Sequence, residues 1–425
     1  MNIFDQLLAD NQIPKFVRVR HEMDRGHIDD IEGAVAQAMQ REGTLDRIKP
    51  GDSVCITAGS RDVANIARII RAICDQVKSV GAHPFIIPAM GSHAGAKAEG
   101  QRGIIEGYGV TEEAMGAPIR ASMDTEVIAH SKSGLEIHLD KFANAADFLI
   151  PVGRIKAHTD FRGEVESGIC KMLVIGMGKQ HGAYQCHKLG FKSMAANVKE
   201  FAGAIIEKKP NMFAIGLIEN AYHQTCRIEA IPAGRILEEE PPLLEYAKSR
   251  MAKVPFDQAD ILFVDETGKD ISGAGMDPNV TGRSPVLGIS RPFFQRIAVF
   301  DLTDKSHGNF GGLGSADVTT QRLYRKIDFE QTYPNGITAA EPLAVRLPAV
   351  MPSDRTAMQF ALRTATDCDW EKGPRIVWLK NTLSLSEFYI SEALIPDAEA
   401  LDNVTIVSEP MEVIFDEEGN VKELR

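Results

Sequence analysis

Cysteine and long apolar runs are both scarce in this sequence, and each shortage excludes a class of protein. The 6 cysteines are scattered over 425 residues without a CxxC pair, which argues against a disulfide framework or a structural zinc site and indicates a reducing compartment. No apolar run approaches the roughly 20 residues needed to cross a bilayer. The first residues, MNIFDQLLADNQIPKF, have acidic side chains where a signal peptide has basic ones. We therefore expect a cytoplasmic protein without a membrane partner.

Positive charge is also in short supply. The 47 lysines and arginines face 59 aspartates and glutamates, which gives a formal net charge of -12. A surface that tracks nucleic-acid phosphates needs surplus basic residues, so we expect no nucleic-acid partner. An anionic ligand would have to be bound by a local cluster of positive groups, and such a cluster would mark a candidate functional site.

Strands and helices alternate along the chain, which predicts an α/β fold. Residues 53–58 form a mostly apolar run between Pro50-Gly51-Asp52 and a glycine, and residues 62–80 carry apolar side chains at helical spacing. A second strand is predicted at 83–88, and the pattern restarts at a buried-strand run over 261–264. We expect two α/β domains with mostly parallel sheets and an interdomain active-site cleft. The predicted domains are residues 1–254 and 255–404, with 405–425 as a segment that could rejoin the first domain.

The first candidate loop, Gly59-Ser60-Arg61, joins a predicted strand to a predicted helix. The glycine permits close approach of a ligand to the backbone, and the guanidinium of Arg61 can bind a carboxylate or phosphate through two hydrogen bonds. The alternative is a surface arginine that caps a turn.

The second candidate loop, Gly91-Ser92-His93, has the same position after the next strand. A histidine between glycines has little packing role there, so His93 is a candidate acid/base or ligand. The alternative is a structural histidine whose ring nitrogens are hydrogen-bonded within the fold.

The third stretch is the densest in functional side chains. Arg154 to Asp160 contains His158, and Ser167-Gly168-Ile169-Cys170-Lys171 follows, with His181 and His187 further along. Basic residues and histidines are concentrated here within an acidic protein. Lys171 lies among apolar residues, where burial would favour the neutral, nucleophilic amine. The alternative is a lysine that extends its charged end from the edge of a buried helix to water.

The fourth stretch is a long glycine-rich loop, Gly273 to Arg283, in the second predicted domain. Lys269 and Arg283 flank it. Long loops without secondary structure are often functional, although as a bare pattern this one is ordinary.

Taken in order, these four stretches resemble the nickel-pincer-nucleotide-dependent lactate racemase family. The resemblance covers most of the chain and is strongest from about residue 50 to 190. Gly91-Ser92-His93 matches the family's Gly-x-His turn, and Ser167 to Lys171 matches its Ser-Gly-Gly-x-Lys motif. Three departures stand out: Ala58 replaces an aspartate, Ile169 replaces the second glycine, and the segment before Lys171 is about three residues longer.

The resemblance implies a role for each candidate residue. Lys171 would carry the cofactor, pyridinium-3-thioamide-5-thiocarboxylic acid mononucleotide, through a covalent thioamide. His187 would complete the nickel site, with His181 as the alternative. His93 and His158 would act as acid and base. Arg61 would hold the substrate carboxylate, together with Arg283 or, failing that, Lys269. The remaining residues of the matching turns are assigned to cofactor binding: Gly59, Ser60, Gly91, Ser92, Ser167 and Gly168.

The implied activity is racemisation or 2-epimerisation of a 2-hydroxy acid by an isomerase. Hydride would pass from C2 to the nickel-pincer nucleotide and return to the other face, and the pincer-cofactor biosynthetic enzymes would be partners for loading. One alternative is a metal-dependent lyase or hydrolase that uses His93, His158 and His187 as ligands, which free divalent metal alone would activate. Another is a non-catalytic sugar-acid binding protein, which a ligand would stabilise without any chemical change.

Overall fold

The computed structural model describes residues 3–60, 63–284, 291–339 and 341–425. The chain divides into two compact units, one formed by residues 24–251 and the other by residues 1–23 and 252–425. The expected boundary after residue 254 lies close to this division. Residues 1–23, which we expected in the first domain, belong with the second unit, as does 405–425, the segment that could have rejoined the first.

The strands, numbered along the chain, are β1 (Phe16–His21), β2 (Ser53–Ala58), β3 (His83–Pro88), β4 (Thr125–His130), β5 (Glu136–Asp140), β6 (Phe148–Ile150), β7 (Val152–Arg154), β8 (Phe213–Glu219), β9 (Thr225–Pro232), β10 (Gln258–Thr267), β11 (Phe293–Leu302), β12 (Val318–Thr320), β13 (Ala349–Met351), β14 (Ile376–Leu379), β15 (Glu387–Ser391), β16 (Val404–Ile406), β17 (Val413–Phe415) and β18 (Val421–Leu424).

The α-helices are α1 (Ile3–Leu8), α2 (Ile31–Ala38), α3 (Ile66–Ser79), α4 (His93–Ala96), α5 (Ala98–Gly107), α6 (Glu112–Met115), α7 (Lys141–Ala145), α8 (Ile169–Lys171), α9 (Lys179–His187), α10 (Phe191–Lys208), α11 (Ile236–Arg250), α12 (Pro278–Thr281), α13 (Gln321–Arg325), α14 (Phe329–Ala339), α15 (Asp354–Thr364) and α16 (Ile395–Glu399). A π-helical turn, Met172–Gly176, follows α8 directly. Among the described residues, no helix is both long and apolar enough to span a membrane.

The unit of residues 24–251 is built on short parallel strands. β2 pairs in parallel with β3 on one side and β6 on the other, and β7 pairs in parallel with β8. The central strands are apolar and buried along nearly their whole length, as expected where helices cover both faces of a sheet. The carboxyl ends of β2, β3 and β7 therefore emerge close to one another, and each leads into a loop that carries candidate site residues.

The other unit is built on one eight-stranded sheet in the order β13-β12-β11-β10-β14-β15-β1-β16. The first five strands are parallel, and β15, β1 and β16 are antiparallel additions at one side. β1 pairs with both β15 and β16, so the beginning of the chain forms an interior strand of this sheet. The prediction of an α/β protein with mostly parallel sheets is confirmed.

Candidate active site

Lys171 and His158 form the centre of the candidate site. Lys171 is the last residue of α8, His158 lies in the loop after β7, and the Nζ and Nε2 atoms are 2.7 Å apart. A two-residue bridge between Lys156 and Ser167, with N···O distances of 2.9 and 3.2 Å, closes the loop that carries His158. Ser167, which the sequence assigned to cofactor binding, thus also pins the loop to the turn that carries Lys171.

His158 is buried, and both its backbone and its ring contact neighbouring side chains. Its backbone N–H donates to Glu166 Oε2 at 2.7 Å, and its ring packs on Phe161 with centroids 4.2 Å apart. Burial lowers the pKa of His158 well below its usual value, and the positive charge of nearby groups, Lys171 first among them, lowers it further. The ring is therefore neutral at physiological pH.

Both ring nitrogens of His158 have hydrogen-bond partners. The backbone N–H of Asp160 donates to His158 Nδ1 at 2.9 Å, and Nε2 lies against Lys171 Nζ. The arrangement places the Lys171 amine, the group that would act as a nucleophile, directly beside the imidazole.

A buried carboxylate holds the turn that carries Lys171. Glu240, on α11, is completely buried, and its Oε2 accepts from the backbone N–H of Cys170 at 2.8 Å. A Cβ at Gly168 would lie 2.1 Å from Glu240 Oε1, so a side chain there would displace this carboxyl group. Gly168, which the resemblance assigns to cofactor binding, thus also leaves room for Glu240. The π-helical turn that follows is a feature often found at functional sites.

The turns after β2 and β3 both pack on this π-helical segment. A Cβ at Gly59 would lie 3.3 Å from Met172 Cε, and one at Gly91 would lie 3.2 Å from the Ile175 side chain. Gly91 also has a φ of +62°, which favours glycine. The two candidate loops and the lysine segment are therefore neighbours.

His93 is the exposed member of the site. Its Nδ1 lies 2.6 Å from Ser60 Oγ, which links the turn after β3 to the turn after β2. Gln101 Nε2 donates to the backbone carbonyls of Gly91 and His93 at 2.9 and 3.2 Å and steadies this turn. Ser92 is exposed beside it. Arg61, the predicted carboxylate ligand in the first loop, lies outside the described residues.

His187 has the hydrogen-bond arrangement of a metal-binding histidine. Its Nδ1 donates to the carbonyl of Ala183 at 2.6 Å, which leaves the lone pair on Nε2. Burial lowers the pKa of His187 and favours the neutral ring. His181, the alternative ligand, is exposed and stacks on His138 with ring centroids 5.6 Å apart. Geometry therefore favours His187 over His181.

No cluster of three or more His, Cys, Asp or Glu side chains suited to a metal ion occurs in the part of the chain that is described. His158 Nε2 instead contacts Lys171, and His93 Nδ1 contacts Ser60. A metal ion at His187 would thus need most of its ligands from a bound cofactor, which does not favour the alternative of a simple three-histidine metal enzyme.

The two basic residues of the long loop have different surroundings within their own unit. Lys269 follows β10, at the carboxyl edge of the sheet, and its Nζ donates to the carbonyl of Gly273 at 2.6 Å. Both terminal nitrogens of the Arg283 guanidinium are occupied by structural acceptors: Asp317 Oδ2 and the carbonyls of Phe294, Gln295 and Ser315. Arg283 therefore fastens the amino end of β11, and its assignment as a substrate ligand loses its structural basis.

Three buried charged groups of the site were not singled out from the sequence. Glu166 and Glu240 hold the backbones of His158 and Cys170, as described above. Lys179, also completely buried, lies 3.2 Å from Asp140 Oδ2 and donates to the carbonyl of Pro88 at the end of β3. All three act on the loops that present the candidate residues.

Comparison with solved structures identifies the fold. The chain is similar to the lactate racemase apoprotein from Thermoanaerobacterium thermosaccharolyticum, with a TM-score of 0.53 and 15% sequence identity over 87% of this chain and 99% of that chain. The fold is lactate-racemase-like. A structural-genomics target from Thermotoga maritima has a TM-score of 0.44 and 11% identity over 83% and 87% of the two chains, a likeness too weak to carry an argument. No protein-family model and no curated protein matches the sequence.

Proposed function

We propose that this protein is a racemase or 2-epimerase of a 2-hydroxy acid that works with a nickel-pincer nucleotide attached to Lys171. The contact between the Lys171 amine and His158, in a chain with a lactate-racemase-like fold, carries the proposal. When bound, the cofactor would supply a hydride acceptor for C2 of the substrate and return the hydride to the opposite face.

The residues present fit such a group. Lys171 presents a part-buried amine for a covalent link through nitrogen, and His187 has a ring nitrogen with an available lone pair for nickel. Burial raises the pKa of the Cys170 and Cys186 thiols, so both are protonated in the absence of a metal ion.

Two imidazoles would move the hydroxyl proton. His158 is neutral and can accept a proton, and His93, at the exposed turn after β3, is the second imidazole of the site. Inversion at C2 requires one group that removes the proton from either enantiomer and another that restores it, so a pair of histidines suits the reaction. Arg61 and Lys269 stay predictions as ligands of the substrate carboxylate.

The test is expression of the full chain together with the pincer-cofactor biosynthetic enzymes. We expect a mass increase that maps to Lys171, bound nickel, and loss of enantiomeric excess in at least one 2-hydroxy acid of a panel followed by chiral chromatography. In D2O the racemised product should keep its C2 hydrogen, because hydride transfer does not exchange that atom with solvent.

Matched lysine variants sharpen the test. Lys171→Arg should abolish the mass increase, the nickel and the racemisation together, whereas Lys192→Arg, at an exposed lysine of α10, should change none of them. An unmodified Lys171 in the co-expressed protein, or activity restored by free divalent metal alone, would refute the proposal.

A further inference from the structure

A cavity lies at the carboxyl ends of the parallel strands in the unit formed by residues 1–23 and 252–425. β10 lies between β11 and β14. The chain passes from β10 to β11 on one side and later returns to β14 on the other, so the strand order reverses there. The crevice outside such a switch point is where α/β sheets usually bind ligands.

The size and position of this cavity suit a small molecule. Its volume is about 750 Å³, and its wall includes Asp265 on β10, Asp301 on β11 and Trp378 on β14. Volumes of roughly 300 to 1,000 Å³ are typical of small-molecule sites. The residues of the wall all belong to this one unit and include none of the His93, His158 and Lys171 site.

The acidic side chains of the wall already have partners. Four of them are within ion-pair distance of an arginine or lysine: Asp301, Asp354, Glu387 and Glu423. Glu266 accepts from Asn381 Nδ2 at 2.8 Å. The negative charge of the wall is thus largely compensated within the protein.

Three basic side chains of the wall are not compensated in this way. Arg18, Lys380 and Lys422 are exposed, and among the described residues none of these side chains has a hydrogen-bond or ion-pair partner. A carboxylate or phosphate would gain charge-assisted hydrogen bonds from these three side chains.

Asp265 supplies a hydrogen-bonding group in the interior of the cavity. Its Oδ1 accepts from Trp378 Nε1 at 2.6 Å, which fixes the carboxyl group, and in the described part of the chain Oδ2 has no partner. Burial raises the pKa of Asp265 to about 7, so the group can accept from or donate to a hydroxyl near neutral pH.

We propose that this cavity binds a small hydroxylated organic anion, with its carboxylate or phosphate at Arg18, Lys380 and Lys422 and a hydroxyl group at Asp265. The site is separate from the one proposed to act on 2-hydroxy acids, and its existence does not depend on that function.

The two tryptophans make the site directly observable. Trp370 is 52% exposed and does not line the cavity, so Trp370→Phe leaves Trp378 as the sole indole. The full chain with this substitution would be titrated with gluconate, a hydroxylated carboxylate, with glucose 6-phosphate, and with glucose as the uncharged control. We expect a saturable change in Trp378 emission with one or both anions and none with glucose. Gluconate alone would identify a carboxylate site, and glucose 6-phosphate alone a phosphate site.

Charge variants assign the response to the cavity. Combined Lys380→Glu and Lys422→Glu should raise Kd at least tenfold, the loss expected from one charge-assisted hydrogen bond. Lys305→Glu, at an exposed lysine outside the cavity, and Lys171→Ala should leave Kd unchanged. No saturable response to either anion, an equal response to glucose, or an unchanged Kd in the double variant would overturn the proposal.

Discussion

Replacement of Glu240 should disturb the candidate site although the side chain lies outside it. The carboxylate is completely buried, and its Oε2 holds the backbone N–H of Cys170, the residue before Lys171, at 2.8 Å. Glu240→Leu removes this acceptor at similar volume and leaves the N–H without a partner. Glu240→Gln keeps an acceptor oxygen and removes only the charge.

The two substitutions should differ in size and in their dependence on pH. An unsatisfied buried N–H costs about 1–3 kcal/mol, so Glu240→Leu should lower the free energy of unfolding by about 2 kcal/mol. Burial raises the pKa of Glu240 in the folded protein. Ionisation therefore destabilises the wild type as the pH rises from the unfolded-state pKa through the folded-state pKa, and this loss should be absent in Glu240→Gln.

Urea unfolding at pH 5 and pH 8 measures the stability part of this prediction. The effect on the site is measured by the rate at which an amine-reactive reagent labels Lys171, with Lys192 in the same digest as the internal reference. We expect an altered Lys171 rate in Glu240→Leu and a rate close to wild type in Glu240→Gln. Equal labelling in all three proteins would show that the carboxylate does not position the lysine turn.

Two further substitutions test other buried charges. Asp265→Asn should flatten the dependence of stability on pH between about 4 and 7. The raised pKa, about 7 against 3.8, means that ionisation costs the folded wild type up to about 4 kcal/mol over that range; an unchanged slope in unfolding experiments would contradict this. Arg283→Ala should lower the free energy of unfolding by about 1–3 kcal/mol, because it frees Asp317 and three carbonyls. Full stability with lost racemisation would instead return Arg283 to a role in substrate binding.

Local sequence patterns predicted the elements that position the site. Strands β2 and β3 have the predicted bounds, because glycine and proline punctuate them and their apolar runs can only be buried strands. Parallel strands bring their carboxyl ends to one edge, so the approach of the Gly59 and Gly91 turns to the lysine segment was predictable in outline. The individual contacts, such as Ser60 to His93, depend on side-chain geometry that spacing does not encode.

The long-range pairings were not predictable in the same way. Nothing local in residues 16–21 indicates that they form a strand that pairs with strands near residues 390 and 405. The structural partners of Arg283 were not predictable for a related reason, since Asp317 lies 34 positions away along the chain. The strand pairings and the Arg283–Asp317 ion pair both join residues that are far apart in the sequence. Only the folded sheet brings these residues together.

Glu240 shows a signal that was present and overlooked. In the sequence it reads as part of an acidic first turn suited to the helix dipole. Within α11, however, it is four residues after Ile236 and three and four before Leu243 and Leu244, all of them buried. That spacing places Glu240 on the apolar face of the helix, where a carboxylate needs specific donors. An acidic residue on an apolar helix face is therefore better interpreted as a buried acceptor than as a solvated one.

Two buried carboxyl groups beside the site bind the backbone of the loops that carry the candidate residues. Glu166 accepts from the N–H of His158, and Glu240 accepts from the N–H of Cys170. Burial lowers the pKa of His158 most, and the positive charge of Lys171, Lys156 and Arg162 lowers it further. The same positive field that opposes protonation of the imidazole attracts a carboxylate, the group that the proposed substrate carries.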